Sequence, residues 1–189
     1  MGLTRYRTID SPIGLLTLAG QGDCLTNLVM EDAAHLPPDR SQWVEDAGAL
    51  PDVVAQLAAY FAGERTGFDV ALRPAGTSFQ QRVWDALSEI PYGETRSYGE
   101  IARRIGQPSA ARAVGLANGR NPVPVIVPCH RVIGANGALT GYGGGLQAKQ
   151  ALLDLEQACR PGARRTRPAL GAAIASARSR DARVVRRIP

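Results

Sequence analysis

Apolar and polar positions change rhythm near the middle of this 189-residue chain. Over the first thirty residues, short apolar runs are broken by turn formers. Tyr6–Ile9 meets Asp10-Ser-Pro-Ile-Gly14, Leu15–Ala19 meets Gly20-Gln-Gly-Asp23, and Leu25–Met30 follows. Such runs between Gly, Pro, Asp and Ser predict an antiparallel meander. Residues 31–48 are polar and carry prolines, which predicts a loop. Pro51 suits a first helical turn, and Val53, Val54, Leu57, Ala58 and Phe61 recur at helical spacing until Gly63 ends the pattern. Residues 68–72 read as one more short strand, and Pro74-Ala-Gly76 as a linker.

The second half reads as helical. Ser78-Phe-Gln-Gln81 has a capping-box pattern, and Phe79, Val83, Trp84 and Leu87 form one apolar face before Pro91-Tyr-Gly93 stops the helix. Ser97-Tyr-Gly-Glu100 is a second capping box, with Ile101, Ala102 and Ile105 turned inward. Gly106-Gln-Pro108 makes a turn, and Ser109 is placed to cap a third helix over 110–118. Helix, short turn, helix is the helix-turn-helix pattern, which many plain helical hairpins share. The third helix opens on Ala110, Ala111 and Ala113, with Arg112 its one long side chain. That face either approaches another surface closely, with Arg112 reaching in, or packs on a neighbour while Arg112 makes a surface ion pair. The expected class is α/β (α+β). A small N-terminal antiparallel sheet unit with a helix (1–76) precedes a mainly helical unit (77–159) and a tail (160–189).

Composition narrows the chemistry. Hydrophobic residues make up 44% of the chain, enough for an ordinary core. No apolar run approaches the roughly 18 residues of a membrane span, and the first residues do not resemble a signal peptide. Cysteines at 24, 129 and 159 are odd in number and widely spaced, and His35 sits in a Pro-rich stretch. That pattern suits neither a disulfide framework nor zinc. No metal or cofactor is expected, and a reducing cytoplasm fits. The net charge of +5 is unevenly spread. Residues 1–77 hold 5 Arg against 10 acids, residues 78–159 hold 8 basic against 6 acidic, and residues 160–189 hold 9 Arg against one Asp. The tail composition predicts disorder, with a short helix around 170–177, and it either binds phosphates or merely solubilises.

The candidate chemistry lies at Pro128-Cys129-His130-Arg131. A thiolate is a strong nucleophile, and a nearby imidazole is the usual means of producing one near neutral pH. By itself the dipeptide is equally compatible with an accident inside a buried strand. The glycines at 143–145 are not followed by Lys-Ser/Thr, so a nucleotide site is not expected. Lys149, the chain's one lysine, reads as structural.

Six segments in order carry a resemblance. They are Phe79-Gln-x-x-Val-Trp84, Ile90-Pro-Tyr-Gly-Glu-Thr-x-Ser-Tyr98, Ala110-Ala-Arg-Ala-Val-Gly115, Asn121-Pro-x-Pro124, Val127-Pro-Cys-His-Arg-Val132 and Gly141-Tyr-Gly-Gly-Gly-Leu146. From Phe79 to Glu156 the chain resembles the O6-alkylguanine-DNA alkyltransferases, and residues 4–72 resemble their N-terminal domain more loosely. The resemblance implies irreversible transfer of an alkyl group from guanine O6 to Cys129, once per molecule. His130 would be the base, acting through a water because neighbours in an extended segment point apart. Glu156, on a helix over 146–156, would orient it, and Asn121 would brace the turn. Tyr98 would donate to the leaving base. Main-chain groups of Cys129 and Val132 would read the exocyclic amine, and Tyr142, Gly143 and Gly144 would form the lid.

Arg112 would fill the stack vacated by a flipped base, with Ala110, Ala111, Gly115 and Ser97 at the minor groove. Where some relatives carry Ser, Gly143 offers only a main-chain N–H. The implied partner is double-stranded DNA containing O6-alkylguanine, met by a monomer in solution, with clustering on DNA left open. A cysteine hydrolase is the first rival, but its Cys and His usually lie far apart in sequence. A non-catalytic lesion binder of the alkyltransferase-like kind is the second, and Cys129 argues against it. If the tail binds phosphates, deleting residues 162–189 should flatten the salt dependence of duplex binding, and an unchanged slope would mark the tail as inert.

Overall fold

Short apolar runs separated by tight turns fold back on one another to form the first half of the molecule. The computed structural model describes residues 2–30 and 39–160. His35, the short helix expected at 170–177 and the tail expected to be disordered lie outside the described residues. Strands β1 (Arg5–Ile9), β2 (Leu16–Gln21) and β3 (Cys24–Met30) are antiparallel neighbours, as the turn pattern predicts. The first reversal is held by Ser11, whose Oγ donates to the Gly14 carbonyl at 2.6 Å. The second turns through Gly22, at φ 59°. A fourth strand, β4 (Val44–Glu45), pairs parallel to β1, giving the order β3-β2-β1-β4. The sheet is therefore mixed rather than antiparallel throughout. Two exposed edge residues carry no hydrophobic rhythm, so the loop expected over 31–48 concealed them.

Residues 68–72 form no strand. They make one bridge, Leu25 to Leu72, with the Leu25 N–H donating to Ala71 at 2.9 Å. Helix α1 (Pro51–Phe61) begins at the predicted proline and ends ahead of Gly63, at φ 71°. Its buried residues are Val53, Leu57 and Tyr60. The sequence reading put Ala58 on this face and passed over Tyr60, yet Ala58 is exposed.

Three helices open the second half. Helix α2 (Ser78–Ser88) is capped one residue earlier than expected: Thr77 and Gln80 make the reciprocal box. Gln81 instead donates to the Pro74 carbonyl at 2.8 Å and holds the linker. Strand β5 (Arg96–Ser97) leads into α3 (Tyr98–Arg104), where the box between Ser97 and Glu100 forms as predicted. Helix α4 (Ala111–Gly119) has Ala110 at its N-cap and no side-chain cap, so Ser109 does not serve. The turn closes instead by main chain, Ala110 N–H to the Gln107 carbonyl at 2.9 Å. Trp84 pins α2 to α4, its indole N–H donating to the Ala117 carbonyl at 2.9 Å. The same ring explains Gly76, where a Cβ would collide with it.

The remaining elements are β6 (Val132–Ile133), parallel to β5, and α5 (Gly145–Ala158). The Leu28 N–H of β3 donates to the Pro122 carbonyl at 2.8 Å, so the sheet edge grips the segment leading to Cys129. Because Trp84 is 3% exposed, replacing it with alanine should cost about 3–5 kcal/mol. Phenylalanine, which keeps most of the ring volume and loses the hydrogen bond, should cost about 1–2 kcal/mol. Chemical denaturation separates the two, and equal losses would count against the hydrogen bond as an anchor of α4.

Candidate active site

Three prolines, at 122, 124 and 128, strip donors from the segment that precedes the cysteine, so side chains must shape it. Asn121 does this: its Nδ2 donates to the Val127 carbonyl at 2.8 Å and its Oδ1 accepts from the Val123 N–H at 3.1 Å. The bracing role expected of Asn121 thus has a geometry. Between those anchors Val125 is fully buried at φ 73°, a region a β-branched residue rarely enters. Such strain costs on the order of 1–3 kcal/mol and persists where surrounding contacts overdetermine it.

The chain then tightens into a 3-10 turn over Cys129–Arg131. The extended segment expected there is not formed, so the period-two argument that parts the Cys129 and His130 side chains does not apply. The turn arises because the Cys129 N–H bonds to Val127 at 2.8 Å and the Arg131 N–H to Pro128 at 3.0 Å.

His130 is completely buried, and its Nε2 lies 2.9 Å from Glu156 Oε1. An ionised carboxylate only accepts, so Nε2 carries the proton and Nδ1 keeps the lone pair. Nδ1 is buried with no partner among the described residues. Glu156, also completely buried, gathers further donors. Tyr60 donates its hydroxyl to Oε1 at 2.6 Å, and the Gly93 N–H donates to Oε2 at 2.9 Å. Arg131 spans both oxygens, with Nε at 2.9 Å from Oε2 and a terminal nitrogen at 2.8 Å from Oε1. Its other terminal nitrogen donates to the Ile90 carbonyl at 2.6 Å.

Burial pushes Glu156 towards neutrality, but the hydrogen bonds from His130 and Arg131 outweigh it and hold the pKa at about 2. Burial lowers the His130 pKa, more than Glu156 raises it, so the imidazole is neutral. The Cys129 thiol is pushed up to about 11 by burial, against the opposing pull of the Asn121 side chain and the Lys149 charge. The few per cent thiolate of an ordinary cysteine at neutral pH becomes about one part in ten thousand.

Lys149 ties the segment after Cys129 to α5, as a structural lysine would. It is completely buried and donates to the Val132 carbonyl at 2.6 Å and the Thr140 carbonyl at 2.7 Å. Burial lowers its pKa, and a Cys129 thiolate would raise it, which places a cation beside the nucleophile. The Val132 carbonyl, expected to read substrate, therefore already accepts from Lys149. The Cys129 carbonyl accepts from the Val132 N–H and, at 3.4 Å, from Asn118.

Tyr98 sits at the start of α3 with its hydroxyl accepting from Thr140 Oγ1 at 3.1 Å, which leaves the phenolic proton to be given elsewhere. The Tyr142 hydroxyl is buried without a partner among the described residues. Burial first, and the Cys129 charge second, drive its pKa well up. Gly143 faces open space, while at Gly144 a Cβ would collide with the Met30 side chain of β3.

The residues expected to meet DNA lie on and beside α4. Arg112 is exposed, and Ala110, Ala111 and Gly115 are half-buried. A Cβ at Gly115 would sit 3.7 Å from the Tyr98 ring, so this helix packs closely over the pocket tyrosine. The Ser97 hydroxyl is committed to its cap, donating to Glu100 at 2.7 Å.

Sequence reasoning missed Tyr60, Arg131, Asn118 and the Gly93 N–H. An aromatic with a polar tip on a core-facing helical position needs a buried partner, which was the available signal for Tyr60. Arg131 stood inside the motif itself. Leu116 was also missed: at 67% exposed, it follows Arg112 by one turn on the outer face of α4.

Comparison with known proteins agrees with this geometry. Residues 78–158 match the profile of the 6-O-methylguanine DNA methyltransferase DNA binding domain, and residues 4–74 that of its ribonuclease-like domain. A methylated-DNA–protein-cysteine methyltransferase of Mycobacterium tuberculosis is 65% identical over 159 residues, covering 84% of this chain and 96% of the relative. One of Methanosarcina acetivorans is 56% identical over 156 residues, covering 82% and 99%. The crystal structure of Mycobacterium tuberculosis OGT in complex with DNA superposes with a TM-score of 0.79 at 64% identity, over 84% of this chain and 96% of that one. Two matched domains spanning most of the chain, and relatives of this identity, leave one assignment: the chain belongs to the 6-O-methylguanine DNA methyltransferase family.

Proposed function

We propose that this protein repairs DNA by direct reversal, taking the alkyl group of O6-alkylguanine onto Cys129 in a reaction that each molecule performs once. The observation that carries the reading is a buried cysteine followed by a neutral histidine whose far nitrogen is held by an ionised, fully buried glutamate. The sulfur forms a bond to the alkyl carbon as the carbon–O6 bond breaks. The thiol proton passes to His130 Nδ1, directly or through a water, and the imidazolium formed is stabilised by Glu156. Tyr98 donates to a ring nitrogen of the departing guanine, so no anion is left in a dry pocket. The resulting thioether has no good leaving group, and Cys129 is not regenerated. No cofactor enters this scheme.

With burial pushing the thiol up to about 11, the resting cysteine is protonated, and thiolate forms when substrate fills the pocket and the proton moves. Duplex DNA meets α3 and α4 from the minor groove. Arg112 takes the place of the flipped nucleotide, and the Ala110, Ala111 and Gly115 surface lets the helix come close. Tyr142, Gly143 and Gly144 close over the base, the open space at Gly143 leaving room beside O6. In this reading the protein is a monomer in solution, working in the cytoplasm, with clustering on DNA left open. No helix among the described residues is long and apolar enough to cross a membrane. A lesion binder without acceptor chemistry is the weaker reading, because such a protein has no use for Cys129 and its buried proton acceptor.

Incubation with O6-methylguanine duplex should add one methyl mass to the peptide carrying Cys129, and a Cys129→Ser protein should gain none. An adduct on Cys24 or Cys159 instead, or no adduct, would sink the mechanism. Arg112→Ala should slow repair of duplex by tenfold or more, with transfer from a free O6-benzylguanine base changed by less than about twofold, since flipping costs a few kcal/mol only in a duplex. Equal losses on both substrates would count against the finger role.

A further inference from the structure

We propose that Tyr60 is a positioning residue for the alkyl-acceptor reaction, acting on His130 through Glu156, so that the N-terminal unit supplies part of the catalytic apparatus. The inference rests on reading Cys129 as the acceptor. Tyr60 lies on α1, completely buried among Phe61, Phe68 and Tyr92, whose ring centroids are 5.5, 5.1 and 6.0 Å from its own. Its hydroxyl reaches across to Glu156 Oε1 at 2.6 Å, the oxygen that also holds His130 Nε2 at 2.9 Å.

With an Arg131 nitrogen at 2.8 Å, three residues donate to this one oxygen, and these donors have two effects. They fix the carboxylate, and with it the plane of the imidazole that must aim Nδ1 at the Cys129 proton. They also share the lone pairs of Oε1, so each draws on the carboxylate less strongly than it would alone. Glu156 then pulls less on the His130 proton, and Nδ1 remains an unprotonated acceptor.

The other groups around this pair act differently. Arg131, on the catalytic turn, supplies the countercharge and the Gly93 N–H occupies Oε2. Cys129 lies on the same turn as Arg131, and Lys149 on α5 bonds to the Val132 and Thr140 carbonyls. The hydroxyls of Tyr92 and Tyr142 are buried without partners among the described residues. Apart from His130 itself, Tyr60 is therefore the neutral donor on Oε1, beside the charged Arg131, and its hydroxyl can be deleted without leaving a buried charge unbalanced.

The test uses the full chain with 15N-labelled histidine. Only His35 and His130 contribute signals, and His35→Ala assigns them. In Tyr60→Phe the Nε2–H proton of His130 should move downfield, because Glu156 has lost a competing donor, and in Tyr92→Phe it should stay. The maximal single-turnover rate constant with free O6-benzylguanine should fall about three- to tenfold, with the half-saturating concentration unchanged. A 3-fluorotyrosine at position 60, a stronger donor of nearly the same shape, should move the His130 signal upfield and covers the case in which Tyr60→Phe folds poorly.

A His130 signal unmoved by Tyr60→Phe and by the fluorinated residue would overturn the proposal. So would an equal shift from Tyr92→Phe, or a rate loss seen only in the half-saturating concentration. If the parent protein transfers no benzyl group to Cys129, the proposed function fails, while the His130 signal still reports whether Tyr60 acts on the histidine.

Discussion

The carboxylate of Glu156 is the point on which four parts of the chain converge. An ionised carboxylate in a dry interior is tolerated only where donors and a countercharge surround it. Here Tyr60 comes from α1, Gly93 from the turn after α2, His130 and Arg131 from the catalytic turn, and the carboxylate itself from α5. Removing any one of them would leave a buried polar group short of a partner, so the elements are locked in mutual register. The same contacts keep Glu156 ionised, while burial keeps His130 neutral against the pull of that carboxylate, the protonation states that a Cys–His pair needs before its substrate arrives.

The burial that isolates this network also suppresses the nucleophile. Cys129 sits 4% exposed with its thiol pushed up to about 11 by burial, so little thiolate is present at neutral pH. Reactivity is assembled rather than stored. In the proposed reaction the His130 lone pair receives the thiol proton, and Tyr98, whose hydroxyl accepts from Thr140, gives its own proton to the leaving base. A protein spent by one event gains from this arrangement, because a thiol lost to a side reaction could not be recovered.

The DNA-facing side follows a different logic. Helix α4 is held from behind by Trp84 and presents small residues and Arg112 outward, while Gly115 rests on Tyr98 of the pocket. In the proposed complex the helix that meets the duplex would thereby touch the residue that meets the flipped base. Leu116 stands one turn beyond Arg112 and is largely exposed, which in the proposed complex would offer the groove an apolar contact beside the charge.

Much of the local structure was legible in the residue pattern. Turn residues marked the meander, Pro51 and Gly63 bounded α1, and Ser97 with Glu100 set the start of α3, because each acts on its own neighbours. Errors arose where a competing local partner decided: Thr77 rather than Ser78 caps α2, and main chain rather than Ser109 closes the turn before α4. The ordered motifs, Pro-Cys-His-Arg above all, identified the family and placed Cys129, His130 and Glu156 in one site.

What no local pattern could supply was the surroundings of those groups. The parallel edge β4, the 3-10 turn at Cys129, the Tyr60 bond from 96 residues away and the encirclement of Lys149 depend on segments distant in sequence. The sequence by itself determined the family and which reactive side chains stand in its motifs, since residue identity and short-range spacing are written in it. The tertiary structure decided their protonation states, because burial and the number of donors around each charge exist only once the distant segments have met.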